Sequence, residues 1–540
     1  MYPKNNFIRL SGILLTVIAV SLVFNALLSA QVQIQASASK SLAQPTGKRV
    51  VVLNITGNTL ATRPELYGHN MTANDWHGTL NNNRPPILWD TAANRPDPAW
   101  TPLTHAWPLR VMRYHSGNFY PWRDAFGPVS ERKIIKDEYR RTLRPDAGLQ
   151  EFLRWLETLP DPRPEPILIA SPFRPVQELA DLVAYCNATT GPMADLRAAH
   201  GHPAPYNVRY WELGNETDWI NRDDLDVTRA ETEREKKSKL LPAEYIARCR
   251  ERIHAMRAID PTIKLLAHAQ TAPWPSTNPH WRDWHREVIR DLGDTIDAIT
   301  IHPYYDGHSV PYVLASIDAL IADIRELQPS RRNITVAVTE HSRWVNYKNL
   351  DERPQSWGLQ GAISAGDFLL RAMARPEISS ANYWCYLHRG PWRVLNADWD
   401  QGTTHKFGTG AFMLYQLLND SLLPRYELLT PEPPGASRAR SNAYPYQVTT
   451  AHFSDVATGA HALVAVNRSA TEPVILLIEN IPPPASGKLT FSLVTGNSLQ
   501  STNVPATPDA VTLQTRAIDA RSDAPLRLEL PPRCVASWRW

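Results

Sequence analysis

Two acidic residues stand at positions from which they could do chemistry. Tyr210-Trp211-Glu212-Leu213-Gly214-Asn215-Glu216 is a short apolar-flanked run that ends in Gly-Asn-Glu. Ile334-Thr335-Val336-Ala337-Val338-Thr339-Glu340 is a β-branched run that ends in a second glutamate, beside His341 and Ser342. A buried strand that delivers a carboxylate at its C-terminal end, where the backbone turns into a loop, is how a parallel barrel presents an acid to a substrate. Two such acids, far apart in sequence, predict a facing pair of carboxylates, the arrangement that cleavage of a glycosidic bond needs. Glu212 precedes Glu216 by four residues, about 13 Å along an extended strand, so the two cannot share one bond. Glu212 therefore reads as a buried partner for an arginine. Asn215-Glu216-Thr217 is formally a glycosylation sequon, but a strand end inside a pocket is a poor acceptor.

The elements that must hold these acids follow from periodicity. From Tyr67 onward, β-branched or apolar runs alternate with segments of helical spacing, the signature of parallel βα units. Strands are expected from Tyr67, within the segment that residues 64–70 lead into, and at residues 111–115, 166–170, 209–216, 263–268, 296–302, 334–340 and 381–387. Helices are expected at residues 149–156, 176–187, 243–259, 284–292, 313–327 and 359–373. Eight strands close a (β/α)8 barrel. The expected fold class is thus α/β: a (β/α)8 TIM barrel over residues 61–420, with Glu216 after the fourth strand and Glu340 ending the seventh. Beyond about residue 425 helical periodicity gives way to prolines and short alternating runs such as Ala462-Leu463-Val464-Ala465-Val466. Residues 425–540 read as an accessory antiparallel β-sandwich, to which a strand within residues 48–60 contributes.

Composition narrows the function classes. At 540 residues the chain exceeds the usual size of one domain. A net charge of +3 is too small to argue for a nucleic-acid partner, and the mixed-sign run at residues 231–239 reads as a solvated helix face. Eighteen Trp and nineteen Tyr supply flat apolar faces suited to sugar rings. The four cysteines show no CxxC spacing, which argues against a zinc site and a dense disulfide framework and leaves four buried thiols. His280 and His285 lack the four-residue spacing of a helical metal pair. No metal or cofactor is implied. Lys4 and Arg9 precede an uncharged apolar run at residues 10–30, followed by small and polar residues, the three parts of a secretory signal within residues 1–38. Cleavage near Ala30 or Ala38 and a secreted or cell-surface location are expected. The run also has the length, about 20 residues, to span a bilayer, so an uncleaved anchor is the alternative and the one route to a membrane.

Several stretches, taken in order, resemble clan A glycoside hydrolases, and within that clan the family 51 α-L-arabinofuranosidases. They are Leu109-Arg110-Val111-Met112-Arg113-Tyr114-His115-Ser116-Gly117-Asn118-Phe119, Trp122-Arg123-Asp124-Ala125-Phe126-Gly127-Pro128, Leu182-Val183-Ala184-Tyr185-Cys186-Asn187, the Glu216 run, and His302-Pro303-Tyr304-Tyr305. The resemblance implies that Glu216 is the acid/base, Glu340 the nucleophile and Asn215 a ligand of the sugar hydroxyl beside the anomeric carbon. It implies that Arg113 and Tyr304 hydrogen-bond the nucleophile, and that Asn118, His302 and Trp384 belong to the sugar pocket. Glu216, flanked by Trp211 and Trp219, is expected to hold its proton while Glu340 stays ionised. The implied partner is an arabinose-containing oligo- or polysaccharide. Three departures from the family pattern fall at the pocket. Gly68-His69-Asn70-Met71-Thr72 has no Glu after Gly-His, Thr339-Glu340-His341-Ser342 replaces Asp-Glu-Trp-Asn, and His115-Ser116-Gly117 replaces Pro-Gly-Gly. The mechanism therefore transfers better than the substrate, and two alternatives stand beside arabinofuranosidase: an endo-acting β-glucanase or xylanase of the clan, and a non-catalytic carbohydrate-binding barrel.

Overall fold

The eight barrel strands are Gly68–Thr72, Val111–His115, Glu165–Ile169, Tyr210–Glu212, Lys264–His268, Ala298–Thr300, Thr335–Arg343 and Ile378–Leu387. In the computed structural model they pair in parallel in chain order, and the eighth strand pairs with both the seventh and the first, which closes the sheet. The described residues are 48–73, 76, 88–136, 142–143, 145–218, 240–271, 280–305, 310–328, 333–388, 390–397, 406–431, 446–481, 484–520 and 525–540. The expected signal segment, the charged run at residues 231–239 and Trp219 lie outside them.

The helices form where apolar spacing places them. Leu149–Leu156, Val176–Asn187 and Leu359–Met373 coincide with the expected spans. The first begins where Glu151 accepts the Gly148 N–H at 2.7 Å, which satisfies one of the donors a helix start leaves free. In the second, Leu179, Leu182, Val183 and Cys186 form the buried face that the sequence predicts. Two helices start a turn earlier than read, at Trp281 and Val310, because Trp281 buries on the same face as Trp284 and Pro311 is tolerated in a first turn. Leu359–Met373 is buried along every residue, since the barrel covers one side and the C-terminal sheets the other. Its Asp367 and Arg371 are accordingly paired, Arg371 Nε lying 3.1 Å from Asp367 and Asp367 also meeting Arg468 and Thr449.

The C-terminal region builds a seven-stranded and a three-stranded sheet. Between them Leu53, Leu463, Leu476, Ile478, Phe491, Leu528 and Trp538 form one apolar layer. Leu526–Leu530 alternates buried and exposed residues, as a strand with one wet face must. The early strand Arg49–Asn54 joins the smaller sheet beside Val474–Glu479, but in parallel. A parallel neighbour needs a long crossover, and here the whole barrel is that crossover. Barrel and sandwich share apolar contacts through Tyr415, Val464, Val466 and Val535, and Lys48–Trp540 is one compact unit.

Two local expectations are corrected. The fourth strand stops at Glu212 rather than reaching Glu216, because Gly214 (φ 85°) and Glu216 (φ 48°) take left-handed backbone. The 13 Å extended spacing between Glu212 and Glu216 therefore does not apply. Glu340 does not end the seventh strand, which continues to Arg343 by pairing with Tyr304–Tyr305. The four cysteines are buried free thiols.

Candidate active site

Arg113 is the hub. Side chains alternate along the second strand, so Arg113 points into the barrel while Met112 and Tyr114 pack outside it in the apolar core. Its guanidinium is fully buried and donates in four directions: Nε to Glu212 Oε2 at 2.5 Å, Nη1 to Glu340 Oε1 at 3.0 Å and to Asn70 Oδ1 at 3.1 Å, and Nη2 to Asn215 Oδ1 at 2.7 Å. The arginine partner expected for Glu212 is thus found. With its oxygen toward Arg113, the Asn215 amide presents its NH2 the other way, as a donor free to meet a hydroxyl.

Glu340 receives three further influences. Tyr304 donates its hydroxyl to Oε2 at 2.8 Å, His302 Nδ1 lies 3.9 Å from the same oxygen, and His115 Nε2 lies 4.0 Å from Oε1. Burial opposes ionisation of Glu340, but His302 and Arg113 together with the Tyr304 hydrogen bond outweigh it and hold the carboxyl below its ordinary pKa. Burial pushes His115 down to about 3, so that ring is neutral.

Glu216 is the opposite case. Its side chain is 25% exposed and its Oε1 lies 2.7 Å from His302 Nδ1. Burial first, then the negative charges of Glu340 and Asp218, raise its carboxyl above the ordinary range against the opposing pull of His302. His302 is itself raised: burial lowers it, but Glu340 and Glu216 more than compensate. Burial, with the charges of Glu340 and Glu216, raises the Tyr304 phenol well above its usual value, so it stays a donor. Trp211 does not flank Glu216 as expected. Trp211 faces the helix layer with its indole N–H on Val208 O at 3.0 Å, and Trp219 is outside the described residues.

Asn118 also takes a part the sequence did not reveal. It is 2% exposed, its Nδ2 donates to Asn215 O at 2.6 Å and its Oδ1 accepts the Asn215 N–H at 2.9 Å. That two-way clamp fixes the loop that carries Glu216. Trp384 is partly exposed and sets its ring edge-on to His115, with centroids 4.8 Å apart.

Three residues in this cluster were not singled out from sequence. His115 shares the inward face of Arg113, two residues on, and period-two alternation would have found it. Asn70 occupies the position after Gly68-His69 and binds Thr339 O at 2.8 Å as well as Arg113. Thr339 donates to Glu212 Oε1 at 3.0 Å and lies 2.9 Å from His302 Nε2. In a regular strand Thr339 and Glu340 would face opposite ways. The seventh strand carries one extra residue between Val338 and His341 relative to its neighbour, and such a bulge re-aims side chains so that both face inward.

Oxygens of Glu216 and Glu340 lie within 4.8 Å of each other, with His302 between them. The hydrogen bonds just described account for this convergence without an ion. One carboxyl that keeps its proton beside one that stays ionised can act as an acid and a nucleophile on opposite sides of one bond.

The chain is similar to several known proteins. The family described as "Alpha-L-arabinofuranosidase 1 domain" matches residues 110–310. An intracellular exo-alpha-(1->5)-L-arabinofuranosidase of Streptomyces lividans is 29% identical over 274 residues, covering 48% of this chain and 38% of that protein. Alpha-L-arabinofuranosidase C of Emericella nidulans is 27% identical over 285 residues, covering 48% of this chain and 53% of that one. The chain thus spans about half the length, or less, of these relatives. Among solved structures, a family 51 α-L-arabinofuranosidase from Bifidobacterium longum superposes with a TM-score of 0.69 at 19% identity, covering 90% of this chain and 99% of its own. The α-L-arabinofuranosidase of Thermotoga maritima in an arabinose complex has a TM-score of 0.69 at 18% identity, covering 91% and 99%. By sequence across much of the barrel the chain is similar to α-L-arabinofuranosidases, and across nine-tenths of its length its fold is that of the family 51 structures.

Proposed function

We propose that the protein is a retaining glycoside hydrolase that releases α-L-arabinofuranosyl residues from oligo- or polysaccharides by double displacement. The observation that carries this reading is the carboxyl pair within 4.8 Å. Retaining enzymes hold their carboxyl groups about 5–5.5 Å apart, whereas inverting enzymes leave about 6.5–9.5 Å for a water. Glu340, kept ionised, attacks the anomeric carbon while Glu216 gives its proton to the departing oxygen. Glu216 then takes a proton from water, which releases the sugar with its configuration retained. Asn215 binds the adjacent hydroxyl, and Arg113 and Tyr304 steady the nucleophile.

Arabinose as the sugar is supported by the arabinofuranosidase names of the relatives, and the altered pocket residues keep the endo-acting reading as the competitor. An aryl α-L-arabinofuranoside assayed beside soluble β-glucan and xylan separates the two. Glu340→Gln is expected to abolish turnover of every substrate, because no glycosyl-enzyme forms. Glu216→Ala is expected to keep its first step on substrates with a good leaving group and to accumulate the glycosyl-enzyme, visible as added mass on the intact protein. Azide should then speed turnover and give a glycosyl azide of retained configuration. An inverted azide, or equal loss across leaving groups, refutes the assignment of roles.

Export rests on residues 1–38 alone, and it would set this protein apart from relatives named intracellular. A product retained in the cytoplasm refutes it, and an exported but cell-associated product with an intact N-terminus selects the uncleaved anchor.

A further inference from the structure

Behind Glu216 runs a chain of groups in which each proton position follows from the one before. Glu212, ion-paired with Arg113, presents carboxylate oxygens that only accept. The Thr339 hydroxyl, 3.0 Å from Glu212 Oε1, therefore spends its hydrogen there. Its oxygen is left to accept from His302 Nε2 at 2.9 Å, which places a hydrogen on that nitrogen. On a neutral ring Nδ1 is then a bare lone pair, and it lies 2.7 Å from Glu216 Oε1. Two lone pairs at that distance repel, so the contact needs one proton. Either Glu216 carries it as a carboxylic acid and donates to Nδ1, or the ring carries it and donates to the carboxylate.

We propose that Thr339, anchored by Glu212, is a positioning residue that fixes His302 in the Nε2–H tautomer, so that Glu216 and His302 hold one proton between them for delivery to the leaving group. This rests on the acid/base reading of Glu216 and goes beyond it by naming what loads the acid. In the first displacement the Glu340 oxygen bonds to the anomeric carbon as the glycosidic C–O bond breaks, and the shared proton passes through Glu216 to the departing oxygen. The carboxylate left behind faces the bare Nδ1, which makes it a stronger base toward the water of the second step. Thr339 stands where the family pattern has an acid, so this chain reaches a carboxylate through a hydroxyl and the residue Glu212.

Other charges act on the His302 ring. Glu340 Oε2 from the seventh strand lies 3.9 Å from Nδ1, and Glu212 Oε1 from the fourth lies 4.0 Å from Nε2. Arg113 and His115 act from the second strand, His268 from the fifth, and Asp218 acts on Glu216. Tyr304, two residues after His302 in sequence, is held as a neutral donor to Glu340. Replacing Thr339 by valine alters none of these charges and removes only the hydroxyl. The ring can then turn over to the Nδ1–H form and satisfy an ionised Glu216 with one proton fewer.

The tautomer is read directly on protein labelled with 15N-histidine, with the His302 signals identified by their loss in His302→Asn. The wild type should show hydrogen on Nε2 and Thr339→Val hydrogen on Nδ1. A wild type protonated on Nδ1 alone overturns the proposal, and this measurement needs no activity and no folded Thr339→Val. On turnover, Thr339→Val should lower the alkaline limb of kcat/KM by about one pH unit, the scale of one hydrogen bond. The loss should be larger for sugar or alkyl leaving groups than for nitrophenol, and Thr339→Ser should restore the limb. An alkaline limb unmoved in folded Thr339→Val also overturns it. Failure of the acid/base reading looks different: Glu216→Ala would then lose activity equally on all leaving groups while the tautomer result stood.

Discussion

Arg113→Met removes one cation from between two buried carboxylates, and the structure says which of them bears the larger cost. Glu212 is fully buried and, once Arg113 is gone, keeps the Thr339 hydroxyl at 3.0 Å and the more distant His302 Nε2 at 4.0 Å. Glu340 is slightly open and keeps Tyr304 at 2.8 Å with His302 nearby. Breaking a buried ion pair from one side costs about 3–5 kcal/mol, mostly for the charge left behind. Against a total stability of about 5–15 kcal/mol, the variant should unfold at clearly lower urea concentration at pH 7. Adding Glu212→Gln removes the stranded charge but leaves an amide that can still meet Thr339, so about half of the loss should return, a coupling of about 2 kcal/mol. Activity should not return, because Glu340 still lacks its cation. A double variant no more stable than Arg113→Met refutes the reasoning, since the stranded Glu212 charge would then not be the cost. The sign of the pH effect follows from Glu340, whose carboxyl is held low in the fold. A depressed carboxyl contributes stability above its unfolded pKa and loses it as pH falls through the folded value. Without Arg113 that contribution shrinks, so stability should fall less steeply on acidification, and the acid limb of kcat/KM should move upward.

Two further substitutions probe the same frame. Tyr304→Phe removes the hydroxyl that donates to Glu340; the acid limb of kcat/KM should rise by about one pH unit with little change in melting temperature, and an unmoved limb would show that the phenol does not hold the nucleophile ionised. Gly214→Ala adds a Cβ that meets Pro172 Cδ at 2.7 Å and Thr217 Cγ2 at 2.8 Å at a φ of 85°; kcat/KM should fall by up to about a hundredfold through displacement of Asn215 and Glu216, and wild-type activity would mean that the turn need not be this tight.

The barrel was legible because its signals are local and repeated. Apolar spacing marked Val176–Asn187 and Leu359–Met373 to the residue, and β-branched runs marked the strands, so that Glu216 and Glu340 could be placed on the fourth and seventh by counting. Burial on both sides of Leu359–Met373 did not obscure it, because the two acidic and basic residues it carries are four apart and pair within the helix. The arginine partner of Glu212 was predicted from charge alone: a carboxylate inside a barrel has to be neutralised. Of the hydrophobic flanks expected for Glu216, Trp211 failed for an equally simple reason. Alternation sends Trp211 outward when Glu212 points in, so the indole belongs to the helix layer and the proton must be held by His302 and by burial.

What the sequence hid is backbone irregularity, and the site is made of it. Glu216 reaches the pocket only because the chain leaves the strand at Glu212 and turns through two left-handed residues, and a run of residue types does not announce where a strand will stop. Thr339 reaches His302 only because the seventh strand holds one residue more than its neighbour before His341. Read with strict alternation, Thr339 faces the helices and looks like an outward β-branched filler; read with the bulge, it lies between a buried carboxylate and the histidine that touches the acid. The carbonyl it exposes inside the barrel is met by Asn70 at 2.8 Å, and Asn70 is held in turn by Arg113. The departures at Asn70 and Thr339 thus compensate each other: both serve one irregular turn of the strand, which is why motif comparison, taking each position alone, reads them as two unrelated losses.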